Sequence, residues 1–150
     1  MSKLIVITIP SYNEEQLLGE CITILRKITI DGFRIEILIV DDGSKDRTFQ
    51  IAKEFGADHI FQNTKNLGLA RTFQICIEKA IFVGADFIVN FDADIQYDPQ
   101  NIKDLLQPLI NSDADIVIGE RNFEGIKSFS NIKKNLQRIG SFVVSLTSGI

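Results

Sequence analysis

Ile35-Glu36-Ile37-Leu38-Ile39-Val40-Asp41-Asp42-Gly43-Ser44 is an aliphatic run that stops abruptly at two carboxylates and a turn. Four more apolar runs of similar kind lie on either side of it, at 4–9, 59–62, 87–91 and 116–118. They are rich in Ile and Val and mostly continuous rather than alternating. That is the pattern of parallel strands covered on both faces. Between the runs the apolar period lengthens to that of helices. Residues 14–28 place Leu17, Leu18, Cys21, Ile22, Leu25 and Ile28 on one face, with Asn13 as the expected N-cap. Residues 46–55 end at Gly56, and 69–83, with Phe73, Cys76, Ile77, Ala80 and Ile81 as apolar positions, end at Gly84. Residues 99–110 begin with Asp98 as cap and Pro99 in the first turn, and Pro108 is expected to kink or shorten the end. A last amphipathic helix is expected over 131–146. No internal repeat is evident. Strands and helices alternate throughout, which predicts an α/β fold: an open, mostly parallel, Rossmann-like sheet with helices on both faces.

The chain has 150 residues, 45% of them hydrophobic and 24% charged, which suits one domain spanning 1–150. Its net charge of −4 argues against a nucleic-acid binder held by phosphate contacts. Two cysteines are too few for a secreted disulfide scaffold, and both read as core. No signal peptide is recognisable. The longest uncharged stretch, 139–150, falls short of the roughly 20 residues of a membrane span. These features give the expectation of a soluble, cytoplasmic domain. The chain stops inside that apolar stretch, so it reads as a piece cut from a longer protein at its C-terminus.

The polar residues gather where strands end. Pro10-Ser11-Tyr12-Asn13-Glu14 follows the first run, Asp41-Asp42-Gly43-Ser44 the second, Asp92-Ala93-Asp94-Ile95-Gln96 the fourth and Gly119-Glu120-Arg121 the fifth. In an open parallel sheet these ends share one edge, and ligands bind there. Asp92, Asp94 and Gln96 alternate along an extended chain, so their side chains fall on one side, about 6.6 Å apart. Two carboxylates and an amide oxygen suit Mg²⁺ or Mn²⁺, which takes few protein oxygens and leaves positions for water or phosphate. The alternative is a capped, solvated loop. An EF-hand is excluded, because it needs Gly where Tyr97 stands and Glu where Lys103 stands. Asp41-Asp42-Gly43-Ser44 supports two readings equally: a turn that caps the next helix, or a carboxylate that accepts from a ribose or a base N–H. Gly68 and Arg71 open the helix at 69, either as a helix cap with a solvated Arg or with Arg71 facing back towards the strand ends. Neither a dinucleotide fingerprint nor a P-loop is present. Lys133, Lys134 and Arg138 share one helix, as a solvated face or as counter-charges for an anionic acceptor. His59 reads as a packing or capping residue.

Pro10-Ser11-Tyr12-Asn13-Glu14, Asp41-Asp42-Gly43-Ser44, Asn66-x-Gly68-x-x-Arg71 and Asp92-Ala93-Asp94-Ile95-Gln96 together closely resemble the family 2 glycosyltransferases of GT-A fold, and within them the polyprenyl-phosphate (dolichol-phosphate) sugar transferase branch. The resemblance implies a UDP- or GDP-linked sugar donor, a divalent cation (Mg²⁺ or Mn²⁺), inversion, and transfer to a polyprenyl phosphate. Pro10, Tyr12, Glu14, Asp41 and Asp42 would hold base and ribose, and Arg71 would brace the carboxylates. Asp92, Ala93 and Asp94 would meet the nucleotide-sugar. Asp92, Asp94 and Gln96 would hold the metal, with Asp92, Asp94 and Arg121 as catalytic residues. Arg121, Lys134 and Arg138 would meet the acceptor phosphate. Such an acceptor implies the cytoplasmic face of a membrane. Alternatives are transfer to a saccharide hydroxyl in polysaccharide or cell-envelope glycan synthesis, or a donor-binding module that is inactive as a fragment. A nucleotidyltransferase needs a Gly-rich basic loop where Pro10 to Glu14 stand.

Overall fold

The computed structural model describes residues 2–95 and 98–119. Residues 1–117 make one compact unit. Its elements run β1 (Lys3–Ser11), α1 (Leu18–Leu25), β2 (Phe33–Asp41), α2 (Thr48–Glu54), β3 (His59–Gln62), α3 (Leu69–Phe82), β4 (Phe87–Asn90) and α4 (Asn101–Ile110). All strands pair in parallel, in the order β3-β2-β1-β4. The chain steps outward from β1 to β3, then crosses back to place β4 on the other side of β1. The direction therefore reverses at β1.

Both faces of the sheet are covered, which explains the unbroken apolar runs. Odd-numbered side chains of the two central strands (Ile5, Ile7, Ile9, Ile37, Ile39) pack with α1, α2 and α4 through Leu18, Cys21, Ile22, Leu25, Ala52, Ile102 and Leu106. Even-numbered ones (Leu4, Val6, Leu38, Val40) meet Cys76 and Ala80 of α3 on the opposite face. Each fully buried Ile or Leu stabilises the fold by about 1.5–3 kcal/mol. No helix among the described residues is long and apolar enough to cross a membrane.

One short repeat escapes pattern reading. Gly56-Ala57-Asp58 and Gly84-Ala85-Asp86 both lead from a helix into a strand. Each glycine takes a positive φ (74° and 89°), and the following alanine N–H bonds back to Ala52 or Ala80. Each aspartate then clasps the neighbouring strand: its carboxylate accepts the N–H of Ile37 or Leu4, and its own N–H donates to the carbonyl of that same residue.

Several expectations are corrected. The run 116–118 forms no strand; Ile116 and Ile118 are 79% and 86% exposed. After α4 the positive-φ position is Ser112, and aspartates come one and three residues later rather than two. Asp115 makes no strand clasp among the described residues. Asn13 does not cap α1. It adopts φ 56°, residues 15–17 form a turn, and the helix begins at Leu18 without a side-chain cap. α2 starts at Thr48. α4 starts at Asn101, because residues 98–103 enter it through i→i+3 bonds, although the Asp98 carboxylate still caps the Gln100 N–H. Pro108 does not end α4, which runs on to Ile110.

At the carboxyl edge, two carboxylates organise the loops. Asp42 is buried and accepts from Asn63 Nδ2 (2.8 Å) and from the N–H groups of Leu67 and Gly68 (both 2.9 Å). Asp46 accepts from the N–H and hydroxyl of Thr48 and from the N–H of Glu15. Burial raises both pKa values, but hydrogen bonds outweigh it and hold both below the usual carboxylate range. Gly43 lets the loops approach: it has φ 70°, and a Cβ there would lie 2.6 Å from the Lys65 carbonyl carbon. Gly43→Ala should therefore cost about 2 kcal/mol or more, read as a lower urea midpoint. Because Asp42 and Asp46 are depressed in the folded state, their stabilisation is present above about pH 4 and is lost as pH falls through the folded values. Thermal midpoints between pH 7 and 3 should drop below about pH 4, and Asp42→Asn should flatten that drop.

Candidate functional site

The direction reversal at β1 opens a crevice beyond the ends of β1 and β4, where an open α/β sheet binds ligands. Into it run Pro10 to Glu14 from β1 and Asp92 to Asp94 from β4. Phe91 continues the β1–β4 ladder by donating its N–H to the Thr8 carbonyl, and Asp92 follows it directly. Ala93 is buried in the α1 and α4 packing, which anchors the stretch between the two carboxylates. Cys21 of α1 lies beneath, its thiol 3.9 Å from the Asp92 carbonyl oxygen.

The electrostatics register this convergence. The Glu14 carboxyl is held above the usual range, first by burial and then by the charges of Asp94 and Asp46. The Cys21 thiol is pushed up to about 12 by burial and then by Asp94, Asp92 and Glu14. Carboxylates from two strand ends thus act on one buried sulfur. Among the described residues, no three Asp, Glu, His or Cys side chains surround one point as a ready metal cage. Two carboxylates still fit Mg²⁺ or Mn²⁺, which commonly keeps several waters and substrate phosphates as its other ligands.

Tyr12 is half exposed at the mouth, and Pro10 is half buried. Asp41 is fully buried and turned inward. One oxygen accepts the Ser44 N–H (3.0 Å), and the other accepts Gln62 Nε2 (2.7 Å). Asp42 is likewise hydrogen-bonded to the loops, so both side chains hold the turn together. Arg71 does not brace the acidic pair. Its Nη1 donates to Gln74 of its own helix (2.7 Å) and lies 3.8 Å from Glu78. Its i+3 and i+7 neighbours supply acceptors closer to hand. Gln96, Arg121, Lys133, Lys134 and Arg138, with the helix expected at 131–146, lie outside the described residues. His59 pairs with Glu36 on the sheet (2.7 Å), and Cys21 and Cys76 are free and buried. Asn63, Ser44 and Thr48 escape sequence reading as loop-holding partners. The one signal for them is the density of short polar side chains around the Asp-Asp-Gly-Ser turn. A cavity of about 480 Å³ between the end of α1 and the start of α4, with Lys27 and Lys103 in its wall, is lined by none of the expected site residues.

Comparison with known proteins identifies the family. A family model described as glycosyl transferase family 2 matches residues 6–145. The UDP-N-acetylglucosamine–dolichyl-phosphate N-acetylglucosaminyltransferase of Methanococcus voltae is 34% identical over 166 residues, covering 98% of this chain and 64% of that protein. The dolichol-phosphate mannosyltransferase of Pyrococcus furiosus is 33% identical over 124 residues, covering 81% and 34%. The chain thus spans less than two thirds of either relative. The solved structure of glucosyl-3-phosphoglycerate synthase from Mycobacterium tuberculosis, in complex with Mn²⁺, UDP-glucose and phosphoglyceric acid, superposes with a TM-score of 0.60 at 20% identity, covering 74% of this chain and 40% of that one. That likeness identifies the fold as GT-A. A match across nearly the whole chain and a relative one-third identical over 98% of it lead to one conclusion: the chain belongs to glycosyl transferase family 2.

Proposed function

We propose that this chain carries the donor-binding, catalytic part of an inverting, metal-dependent glycosyltransferase that moves a sugar from UDP or GDP to a polyprenyl phosphate. The observation that carries the proposal is that Glu14, just past β1, and Asp92 and Asp94, just past β4, all act on the buried Cys21 sulfur at the point where the sheet reverses direction, with Tyr12 half exposed beside Glu14 in the chain. The named acceptors of the Methanococcus and Pyrococcus relatives support a lipid phosphate. Such a lipid lies in a membrane, so we place the reaction at its cytoplasmic surface.

The chemistry follows from charge. An acceptor phosphate oxygen forms its bond to the anomeric carbon on the face opposite the leaving group. The bond to the donor diphosphate breaks, and its electron pair departs on the diphosphate oxygen. The acceptor is already ionised, so no base is required. The remaining cost is the negative charge that grows on the nucleoside diphosphate. Asp92 and Asp94 would hold a Mg²⁺ or Mn²⁺ ion, which supplies electrostatic stabilisation there when bound. Tyr12 offers a ring and a hydroxyl at the crevice mouth for the nucleoside. Glu14, raised by burial and then by the charges of Asp94 and Asp46, becomes easier to ionise when positive charge enters the site.

Calorimetry with UDP and with GDP, each with and without Mn²⁺, tests this. One nucleotide should bind, and binding should weaken sharply without the metal. Asp94→Asn should lower the metal-dependent affinity tenfold or more, about 1.4 kcal/mol. Absence of binding by either nucleotide in Mn²⁺ would overturn the proposal.

A further inference from the structure

Three consecutive backbone amides just past β1 are captured by side chains of a single other loop. The Asn13 N–H donates to Ser44 Oγ (2.9 Å), the Glu14 N–H to Thr48 Oγ1 (2.8 Å), and the Glu15 N–H to Asp46 Oδ2 (3.2 Å). Two bonds return the other way. The Lys45 N–H donates to Asn13 Oδ1 and the Arg47 N–H to Glu15 Oε2, both at 2.9 Å. The Thr48 hydroxyl has one proton and gives it to Asp46 Oδ1. Its lone pairs are thereby turned to the Glu14 N–H. Thr48 is fully buried, so water does not substitute for it.

The stretch cannot order itself. α1 begins without a side-chain cap, and Asn13 holds a left-handed φ of 56°, a conformation that persists where its surroundings over-determine it. Those surroundings are residues 44–48. The same stretch carries Tyr12 and Glu14 into the crevice.

We infer that Ser44, Asp46 and Thr48 are positioning residues for the nucleotide donor, acting through the backbone of residues 13–15 to set where Tyr12 and Glu14 stand. The inference rests on the proposed function in one respect, that the donor binds at this loop. Losing the scaffold loosens the donor's binding surface without removing any group that touches it.

Thr48→Val removes the hydroxyl at nearly constant volume, Thr48→Ser retains it, and Ser44→Ala removes a single acceptor at a more exposed position. Affinity for UDP–Mn²⁺ and GDP–Mn²⁺ is measured by calorimetry on the whole protein, at a temperature where every variant's melting curve shows it folded. Amide exchange of residues 13–15 is followed in the same samples without nucleotide. Thr48→Val should weaken binding of whichever nucleotide the wild type takes by about tenfold and speed exchange at Glu14. Thr48→Ser should stay close to wild type, and Ser44→Ala should shift affinity in the same direction by less. A merely structural threonine would lower the melting temperature and leave the affinity of the folded protein unchanged, and that result overturns the inference while the proposed function stands. Should Thr48→Val fail to fold, wild-type affinity in Ser44→Ala overturns it equally. A wild type that binds neither nucleotide overturns the proposed function, and this inference with it.

Discussion

A strand buried on both faces leaves its chemistry nowhere to go but its end. β1 is that strand here: from Leu4 to Ile9 nothing on it is more than marginally exposed, and helices close both sides. Polar groups placed along it would need buried partners, so they accumulate past its carboxyl terminus instead. Since β1 is also where the sheet changes direction, that terminus has no crossover helix above it on the β4 side. The crevice and its acidic lining are therefore consequences of how the core is packed.

The carboxylates at this edge divide into two kinds by what surrounds them. Asp41, Asp42 and Asp46 face backbone amides and short polar side chains, and each is committed to them. They act as organisers, turning loops that would otherwise carry unsatisfied donors into fixed shapes. Glu14, Asp92 and Asp94 all act on the buried sulfur of Cys21, and burial, followed by the charges of Asp94 and Asp46, raises the cost of ionising Glu14. The second group lies at the carboxyl edge, where we propose that a cation and a diphosphate bind.

This division explains what was legible in the sequence. Strand runs, helix exits at Gly56 and Gly84, and the shared edge follow from local pattern, because burial on two faces and positive φ each demand particular residue types. Asp92 and Asp94 were expected to share one side of an extended chain, whereas residues 93–94 form a turn and Ile95 takes φ 54°, so the route by which both carboxylates reach Cys21 was not legible. Nor was the fate of Asp41 and Asp42, since their partners Gln62, Asn63, Leu67 and Gly68 arrive from 20 or more residues away. The direction taken by Arg71 depends on Gln74 and Glu78 competing for it, which helical spacing permits but does not dictate. Ile116-Val117-Ile118 has the composition of a strand, but composition supplies no neighbour to pair with. Asn13 looked like a cap because Asn favours both caps and left-handed turns, and only the facing loop decides between them.

The paired Gly-Ala-Asp exits make the two rims of the sheet mechanically unequal. At the amino rim, Asp58 and Asp86 lock each incoming strand to its neighbour through two bonds at once. That rim behaves as a foundation, with its geometry set before any ligand arrives. The opposite rim is held differently, by side chains of one loop bonded to the backbone of another. A substitution at the amino rim therefore acts on strand alignment, and one at the carboxyl rim acts on loop shape.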